Sequence, residues 1–191
     1  MAWSKAGTTT LGSDGETITV SGMTSSKMYQ SMTHTLHSGN IYPVMRFNND
    51  STSQYAWSRY RSSNGSEETA VSQGDIKMMT DNLDSDSLFV PYICNINNEE
   101  KLLIGHSVSR NAIGAGSVPE RSEIVGKWID NAEITQINVI DTSTGTLVTD
   151  SNVSVLGSDG VESLNVQDGA VYYDTDLNKS YVLYNGAWTE L

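Results

Sequence analysis

The chain has 191 residues, of which 23 are acidic and 11 basic, giving a formal net charge of −12. This acidic excess argues against a nucleic-acid partner, because phosphates require a basic patch. The single cysteine excludes an internal disulfide, and the length suffices to bury a core without bound metal. The sequence shows neither an apolar signal segment nor an apolar run long enough to cross a membrane. We therefore expect a protein that is made and folded in a cytosol and has no membrane partner.

The N-terminal region, residues 1–22, is expected to be an arm that carries one strand. Its segment Thr17–Val20 alternates in polarity and follows the turn cluster at residues 12–15. The pattern predicts that this strand joins the main domain rather than forming a domain of its own.

Residues 24–38 contain the one candidate helix. Met28, Met32 and Leu36 fall at positions i, i+4 and i+8 and would form an apolar stripe on one side of a helix. A serine pair at the start can cap the first turn, and Gly39 can end the last one. The pattern predicts a short α-helix that lies across one end or one face of a sheet.

Residues 43–76 are expected to form three consecutive antiparallel strands. The first two are residues 43–47 and 54–62, and the third begins near Thr69. An Asn-Gly pair at 64–65 supplies the positive φ angles of a tight hairpin turn before the third strand.

Two arginines on the second of these strands are candidate partner contacts. Alternation places Arg59 and Arg61 on the same face as Tyr55 and Trp57. Either that face becomes exposed along the strand, or the arginines pair across an interface. The second alternative suits a repeated assembly.

The rest of the main domain is expected to consist of short strands separated by turns. The apolar run after residue 87 is nearly continuous, which predicts a central strand. The predicted strands are 88–96, 101–110, 121–129, 132–141, 146–150 and 153–156. About nine strands at short spacing with one helix are typical of an antiparallel β-sandwich of the jelly-roll type, and we assign residues 1–160 to this all-β fold.

Residues 161–191 are predicted to form a small C-terminal β-hairpin module rich in aromatic residues. Exposed aromatic rings can stack on sugar rings, whereas buried ones would build the small core that so short a module needs. The candidate glycan or partner contacts are Tyr172, Tyr173, Tyr184 and Trp188.

Catalytic and metal-binding patterns are weak. Asp81, Asp84 and Asp86 could offer oxygen ligands to calcium, but their spacing departs from a calcium loop, so a solvated turn is favoured and no cofactor is expected. The acidic pairs 67–68 and 99–100 are adjacent in sequence and would point to opposite faces of a strand, and no GxSxG motif is present. We therefore expect no enzymatic activity.

Four segments together resemble small structural proteins of tailed phages, especially marine ones, and of related viruses. These segments are MAWSKAGTTTLG, FNND…YAWSRYRSSNG, VGKW…ITQINVI and the terminal YYDT…YVLYNGAW. The last is also similar to the hairpins that close many phage fibre and virion surface proteins. The resemblance covers most of the chain and implies a β-sandwich component of a virus particle, on the head or at the tail. It assigns no residue a known functional role.

These observations predict a non-enzymatic structural protein of a virus particle, made in the host cytoplasm and placed on the outer surface as a capsid decoration or head fibre. It would act by self-association and by binding to major capsid or tail proteins. Two alternatives stay open. One is a tail-associated adhesin that binds a host receptor or surface glycan, and the other, from a different class, is a carbohydrate-binding module.

Overall fold

The computed structural model describes residues 3–63, 65–79, 86–110, 114–159, 169–174, 178–185 and 187–191. The chain divides into two compact units. The main unit is Ala2–Asp159 and the C-terminal unit is Gly160–Leu191.

Seventeen strands follow one another along the described part of the chain. In chain order they are β1 Ser4–Thr10, β2 Thr17–Val20, β3 Met28–Thr35, β4 His37–Ser38, β5 Pro43–Phe47, β6 Tyr55–Arg61, β7 Ser66–Gln73, β8 Ile76–Lys77, β9 Ser87–Cys94, β10 Lys101–Ser109, β11 Glu120–Trp128, β12 Ile137–Asp141, β13 Thr146–Leu147, β14 Asn152–Ser158, β15 Val171–Asp174, β16 Lys179–Tyr184 and β17 Ala187–Glu190.

Two antiparallel sheets build the main unit. The large sheet has eight strands in the order β1-β14-β3-β9-β10-β11-β6-β7, and the small sheet has four in the order β2-β12-β5-β8. The strands β13 and β4 form a further pair. One face of the large sheet packs on the small sheet, and the core lies between them. This confirms the all-β, antiparallel, sandwich-like fold predicted from the sequence.

A cluster of three aromatic side chains joins the two sheets. Phe47 on the small sheet lies 5.7 Å from Trp128 and 6.2 Å from Tyr55 of the large sheet, measured between ring centroids. The rings of Tyr55 and Trp128 stack at 6.2 Å. Both polar tips are satisfied, since Trp128 Nε1 donates to Asp50 Oδ2 at 2.8 Å and the Tyr55 hydroxyl accepts from the Phe47 amide at 2.9 Å. The cluster fixes the separation of the two sheets at this end.

Close approach of the sheets also depends on a glycine. A β carbon at Gly126 on β11 would lie 2.9 Å from Cδ1 of Ile76 on β8. A larger residue at this position would therefore force the Ile76 side chain to shift within the core.

The α-helix predicted over residues 24–38 is wrong, because Met28–Thr35 forms strand β3. Tyr29, Ser31, Thr33 and Thr35 point inward and are buried, and the residues between them face outward. An i, i+4 spacing is even, so it also matches the two-residue period of a strand. The alternating threonines, whose branched side chains favour strands, decide between the two periods.

The three strands predicted over residues 43–76 are present, but they do not form one meander. Strands β6 and β7 pair as a hairpin of the large sheet, and Gly65 in their turn has a φ of +62°. Strand β5 instead pairs with β12 and β8 in the small sheet. The segment 48–54 therefore crosses from one sheet to the other.

The C-terminal unit contains a three-stranded antiparallel sheet in the order β15-β16-β17. Leu183 is its one buried hydrophobic residue among those described. So small a sheet buries little apolar surface by itself.

Candidate functional site

The feature of the main unit that stands out is the solvent-facing side of the large sheet. We call the outward side chains of β3, β9, β10 and β11 the outer sheet face. They are Met28, Gln30, Met32 and His34 on β3; Leu88, Val90, Tyr92 and Cys94 on β9; Leu102, Ile104, His106 and Val108 on β10; and Arg121, Glu123, Val125 and Lys127 on β11.

Strand register brings the apolar members of this face together. Cys94 lies opposite Leu102, and Tyr92 lies opposite Ile104, which in turn lies opposite Val125. Directly opposed side chains on one face of a sheet are in contact distance. The main unit leaves 57% of Ile104 and 50% of Val125 exposed. Together with Met28 these residues line a shallow depression of about 380 Å³.

The inward side of the same strands contributes to the core. Tyr29, Ile93 and Leu103 are buried there, at the end of the strands where Ile104 and Val125 face outward. Toward the other end the buried inward residues are hydroxyl side chains, and the Thr35 hydroxyl bonds to that of Ser87 on β9. At the end that carries Ile104 the strands therefore have large apolar side chains on both faces, as strands covered on both sides do.

Such an arrangement is costly for a free surface. Each Å² of apolar surface kept in water forgoes about 25 cal/mol of burial energy. Monomeric proteins rarely expose contiguous apolar patches larger than a few hundred Å² unless the patch binds something. The outer sheet face is therefore the strongest candidate for an interaction surface among the described residues.

The charge on the outer sheet face differs in sign from that of the whole chain. Glu123 is the one carboxylate among its side chains, and it pairs with Arg121 at 3.4 Å. Lys127 pairs with Glu100, a neighbour outside the face, at 3.0 Å. His34 and His106 add no negative charge, so the acids behind the net charge of −12 lie elsewhere.

Trp3, which precedes β1 in the chain, borders the outer sheet face. The Trp3 ring meets the Tyr92 ring edge-on, with 6.4 Å between centroids. Gln30 Nε2 donates to the Tyr92 hydroxyl at 3.0 Å, which fixes the orientation of that ring. The residues just before β1 therefore contribute to the rim of the face.

The two arginines that the sequence singled out lie in different surroundings. Arg59 is 0% exposed, and its guanidinium donates to Glu68 Oε2 and to the Met79 carbonyl. Arg61 is half-buried near the end of β6. The structure places Arg59 in the interior of the main unit, where its visible partners are Glu68 and the 79 carbonyl.

The four C-terminal aromatic candidates do not form one platform. Leu183 pairs with Trp188, and Tyr184 pairs with Ala187, so Trp188 and Tyr184 lie on opposite faces of the small sheet. Tyr173 pairs with Ser180 and shares the face of Tyr184. Tyr184 is 72% exposed and Trp188 43% exposed. The side chain of Tyr172 lies outside the described residues.

The calcium candidates are only partly described. Asp86 forms an ion pair with Arg110 at 3.0 Å, whereas Asp81 and Asp84 lie outside the described residues. Among the residues that the structure describes, no three His, Cys, Asp or Glu side chains come together as metal ligands would.

A second, more polar depression lies beside the small sheet. It has a volume of about 270 Å³ and is lined by Tyr42, Asp75 and Lys77 among others. Asp75 pairs with Arg46 at 3.3 Å, and Lys77 pairs with Glu68 at 3.1 Å. Its charged groups are thus engaged in ion pairs, and the outer sheet face remains the stronger candidate site.

Comparison of the chain with protein-family models, with curated proteins and with solved structures finds no match. The part of the chain that the structure describes contains no helix with the length and apolar character needed to cross a membrane.

Proposed function

We propose that this chain is a non-enzymatic structural protein of a virus particle, made in the host cytoplasm and placed on the particle's outer surface as a capsid decoration or head fibre. The observation that supports the proposal is the exposed apolar cluster of the outer sheet face around Tyr92, Ile104 and Val125, a surface suited to binding another protein. The sequence resemblance to phage structural proteins points to the kind of assembly.

The physical basis of this role is a rigid block with an adhesive side. A sandwich of two antiparallel sheets holds the outer sheet face flat and fixed, so little order has to be gained on association. Each chain would bind copies of itself and major capsid or tail proteins, and many weak contacts would add through multivalency.

We further propose that the sandwich belongs to the jelly-roll class. Its sheets of eight and four strands make it larger than the usual eight-stranded form.

The first prediction concerns copy number in purified virions. A decoration protein should appear by quantitative mass spectrometry in tens to hundreds of copies per particle, whereas a tail-tip protein should appear in few. The major capsid protein serves as the internal standard. Absence of the chain from intact particles would overturn the proposal, and a map of the particle would show whether the outer sheet face is covered.

A second candidate function is attachment of the particle to host glycans through a tail-associated adhesin. The observation that favours it is the exposure of Tyr173 and Tyr184 on one face of the C-terminal sheet and of Trp188 on the other. Exposed aromatic rings are suited to stacking on sugars. A carbohydrate-binding module would use the same residues outside a virion.

This candidate predicts that glycan binding depends on individual aromatic residues. If the face of Tyr184 binds sugar, Tyr184→Ala should abolish binding on a glycan array, and Trp188→Ala on the opposite face should leave it intact. The reverse result would assign the site to the face of Trp188. Unchanged far-ultraviolet circular dichroism would show that both variants fold, and the absence of binding by the unmodified chain would exclude the adhesin and the module together.

A further inference from the structure

We propose that the outer sheet face packs against the same face of a second copy of this chain, forming a face-to-face dimer. The inference rests on the proposed function in that it names the neighbour taken by the adhesive side of the block. It follows from the area, the charge and the composition of this face.

The area of the face is close to what a stable dimer needs. Strands in a sheet lie about 4.8 Å apart and rise about 3.3 Å per residue. The four strands of the outer sheet face, with about eight residues each, therefore present a plane of roughly 500 Å², and the flanking strands β14 and β6 extend it to roughly 750 Å². A standard interface buries about 800 Å² per partner. Two such faces can pack about 10 Å apart, as the two sheets of a sandwich do.

The charge of the face selects a second copy over an oppositely charged partner. Each chain carries a net charge of −12, so two copies repel one another over most of their surface. The outer sheet face is where this repulsion is least, because Glu123 is its one carboxylate and Arg121 and Lys127 lie on the same strand. A two-fold pairing allows Glu123 of one copy to approach a basic residue of the other. A basic partner would instead be attracted to the acidic residues that lie outside this face.

The composition of the face is that of an interface centre with a polar margin. Tyr92, Ile104 and Val125 form an apolar cluster across three strands, and the charged residues Glu123 and Lys127 flank Val125 along β11. Aromatic residues and methionine are enriched at the centres of interfaces, and charged residues are depleted there. An isologous two-fold contact needs one self-complementary patch, which this face supplies.

The single cysteine provides a built-in probe of this interface. Cys94 lies on the outer sheet face opposite Leu102 and is partly exposed in the single chain. If two faces close on one another, the thiol becomes inaccessible. In a dimer of the full-length chain, modification by a maleimide should be about tenfold slower than in the monomer, because thiol reactivity requires access.

The test combines the oligomeric state with this probe. We expect the full-length chain to sediment as a dimer in analytical ultracentrifugation at micromolar concentration. Ile104→Glu, which places a carboxylate at the centre of the apolar face, should raise the dissociation constant roughly a hundredfold or more. The control is Val118→Glu, which adds the same charge to an exposed loop residue outside the face and should leave the dimer intact. Ile104→Gln, a milder change, should weaken the dimer in the same direction.

The outcomes separate the inference from the proposed function. A dimer that dissociates on Ile104→Glu with release of Cys94, but survives Val118→Glu, supports the inference. Three results would overturn the inference. They are a chain that stays monomeric at concentrations on the order of 100 micromolar, a dimer that persists in both Ile104 variants, and a Cys94 thiol that reacts equally fast at all protein concentrations. A monomer that is nevertheless abundant in virions would leave the proposed function standing, whereas a dimer absent from virions would remove the function and keep the interface.

Discussion

Replacement of Trp128 by alanine should lower the free energy of unfolding by about 4 kcal/mol, within the range measured for buried tryptophan and phenylalanine truncations. Trp128 is 1% exposed and stacks on Tyr55 while contacting Phe47 of the other sheet. Its loss leaves a cavity between the sheets and removes the indole hydrogen bond to Asp50. Because the cluster joins the two sheets, neighbouring side chains cannot easily collapse into the space.

Urea denaturation followed by far-ultraviolet circular dichroism measures this loss. Trp128→Phe keeps an aromatic ring but removes the indole donor, so it should cost about 1–2 kcal/mol. The matched control is Trp188→Ala in the C-terminal unit, where the side chain is partly exposed and the cost to the main transition should be below about 0.5 kcal/mol. Equal losses in Trp128→Ala and Trp188→Ala would show that the cluster does not hold the sheets together.

The sequence predicted the existence of most strands because their alternation and their turn residues are local signals. Strands β5 and β6 lie within one residue of the predicted ranges at most of their ends. Sheet membership was not predictable in this way. Whether β5 pairs with β6 or with the distant β12 depends on long-range packing, which no turn residue records.

The wrong helix has a definite physical cause. Met28, Met32 and Leu36 are separated by even numbers, and an even spacing fits both a helix turn and one face of a strand. The inward residues Ser31 and Thr33 distinguish the strand from the helix, because they alternate with the methionines. Buried hydroxyl residues that alternate with methionine indicate a strand whose outward side is the more apolar one.

The outer sheet face was also not predicted, although part of its signal is in the sequence. The nearly continuous apolar run that became β9 was taken to mean a central strand, and β9 does lie between β3 and β10. A continuous run further indicates apolar contact on both faces of a strand. The inward face of β9 is covered in the single chain, whereas Leu88 and Tyr92 on its outward face are exposed and would be covered in the proposed dimer.

Arg59 shows the limit of alternation for a charged residue. Alternation placed it on the same face as Tyr55 and Trp57, and that face was expected either to become exposed along the strand or to pair across an interface. Glu68 lies opposite Arg59 on β7 and satisfies the guanidinium within the chain. The partner depends on the hairpin register, in which Arg61 lies opposite Ser66, and sequence alone leaves that register uncertain by one or two residues.

We expect Arg59→Ala to destabilise the main unit by about 3 kcal/mol, the lower end of what removing one member of a buried ion pair costs. The change removes a fully buried side chain, deprives the Met79 carbonyl of its donor and leaves Glu68 without one of its two cationic partners. Glu68 retains some solvent and the ion pair with Lys77 at 3.1 Å, which keeps the loss from being larger.

Two further variants separate volume from charge. Arg59→Met restores most of the packed volume without the charge, so it should recover a part of the loss, roughly 1–2 kcal/mol. Glu68→Gln removes the carboxylate and keeps the shape. The double-mutant cycle of Arg59→Met with Glu68→Gln should give a coupling energy on the order of 1 kcal/mol. A coupling near zero would mean that Arg59 acts through packing and the Met79 carbonyl alone.

The pH dependence of stability provides an independent check on the same pair. Burial alone would raise the pKa of Glu68, but hydrogen bonds from Lys77 and Arg59 outweigh it, so its pKa in the folded chain lies below the ordinary value. A carboxyl with a lowered folded pKa contributes stability that is present above its unfolded pKa and is lost as the pH falls through its folded pKa. The free energy of unfolding should therefore decrease from about pH 5 downward, and this decrease should be shallower in Arg59→Met. Asp50, whose pKa is lowered by hydrogen bonds from Thr52 and Trp128 that overcome its burial, contributes to the part of the slope that Arg59→Met leaves unchanged, and so does Asp14, whose pKa is lowered by hydrogen bonds from Thr149.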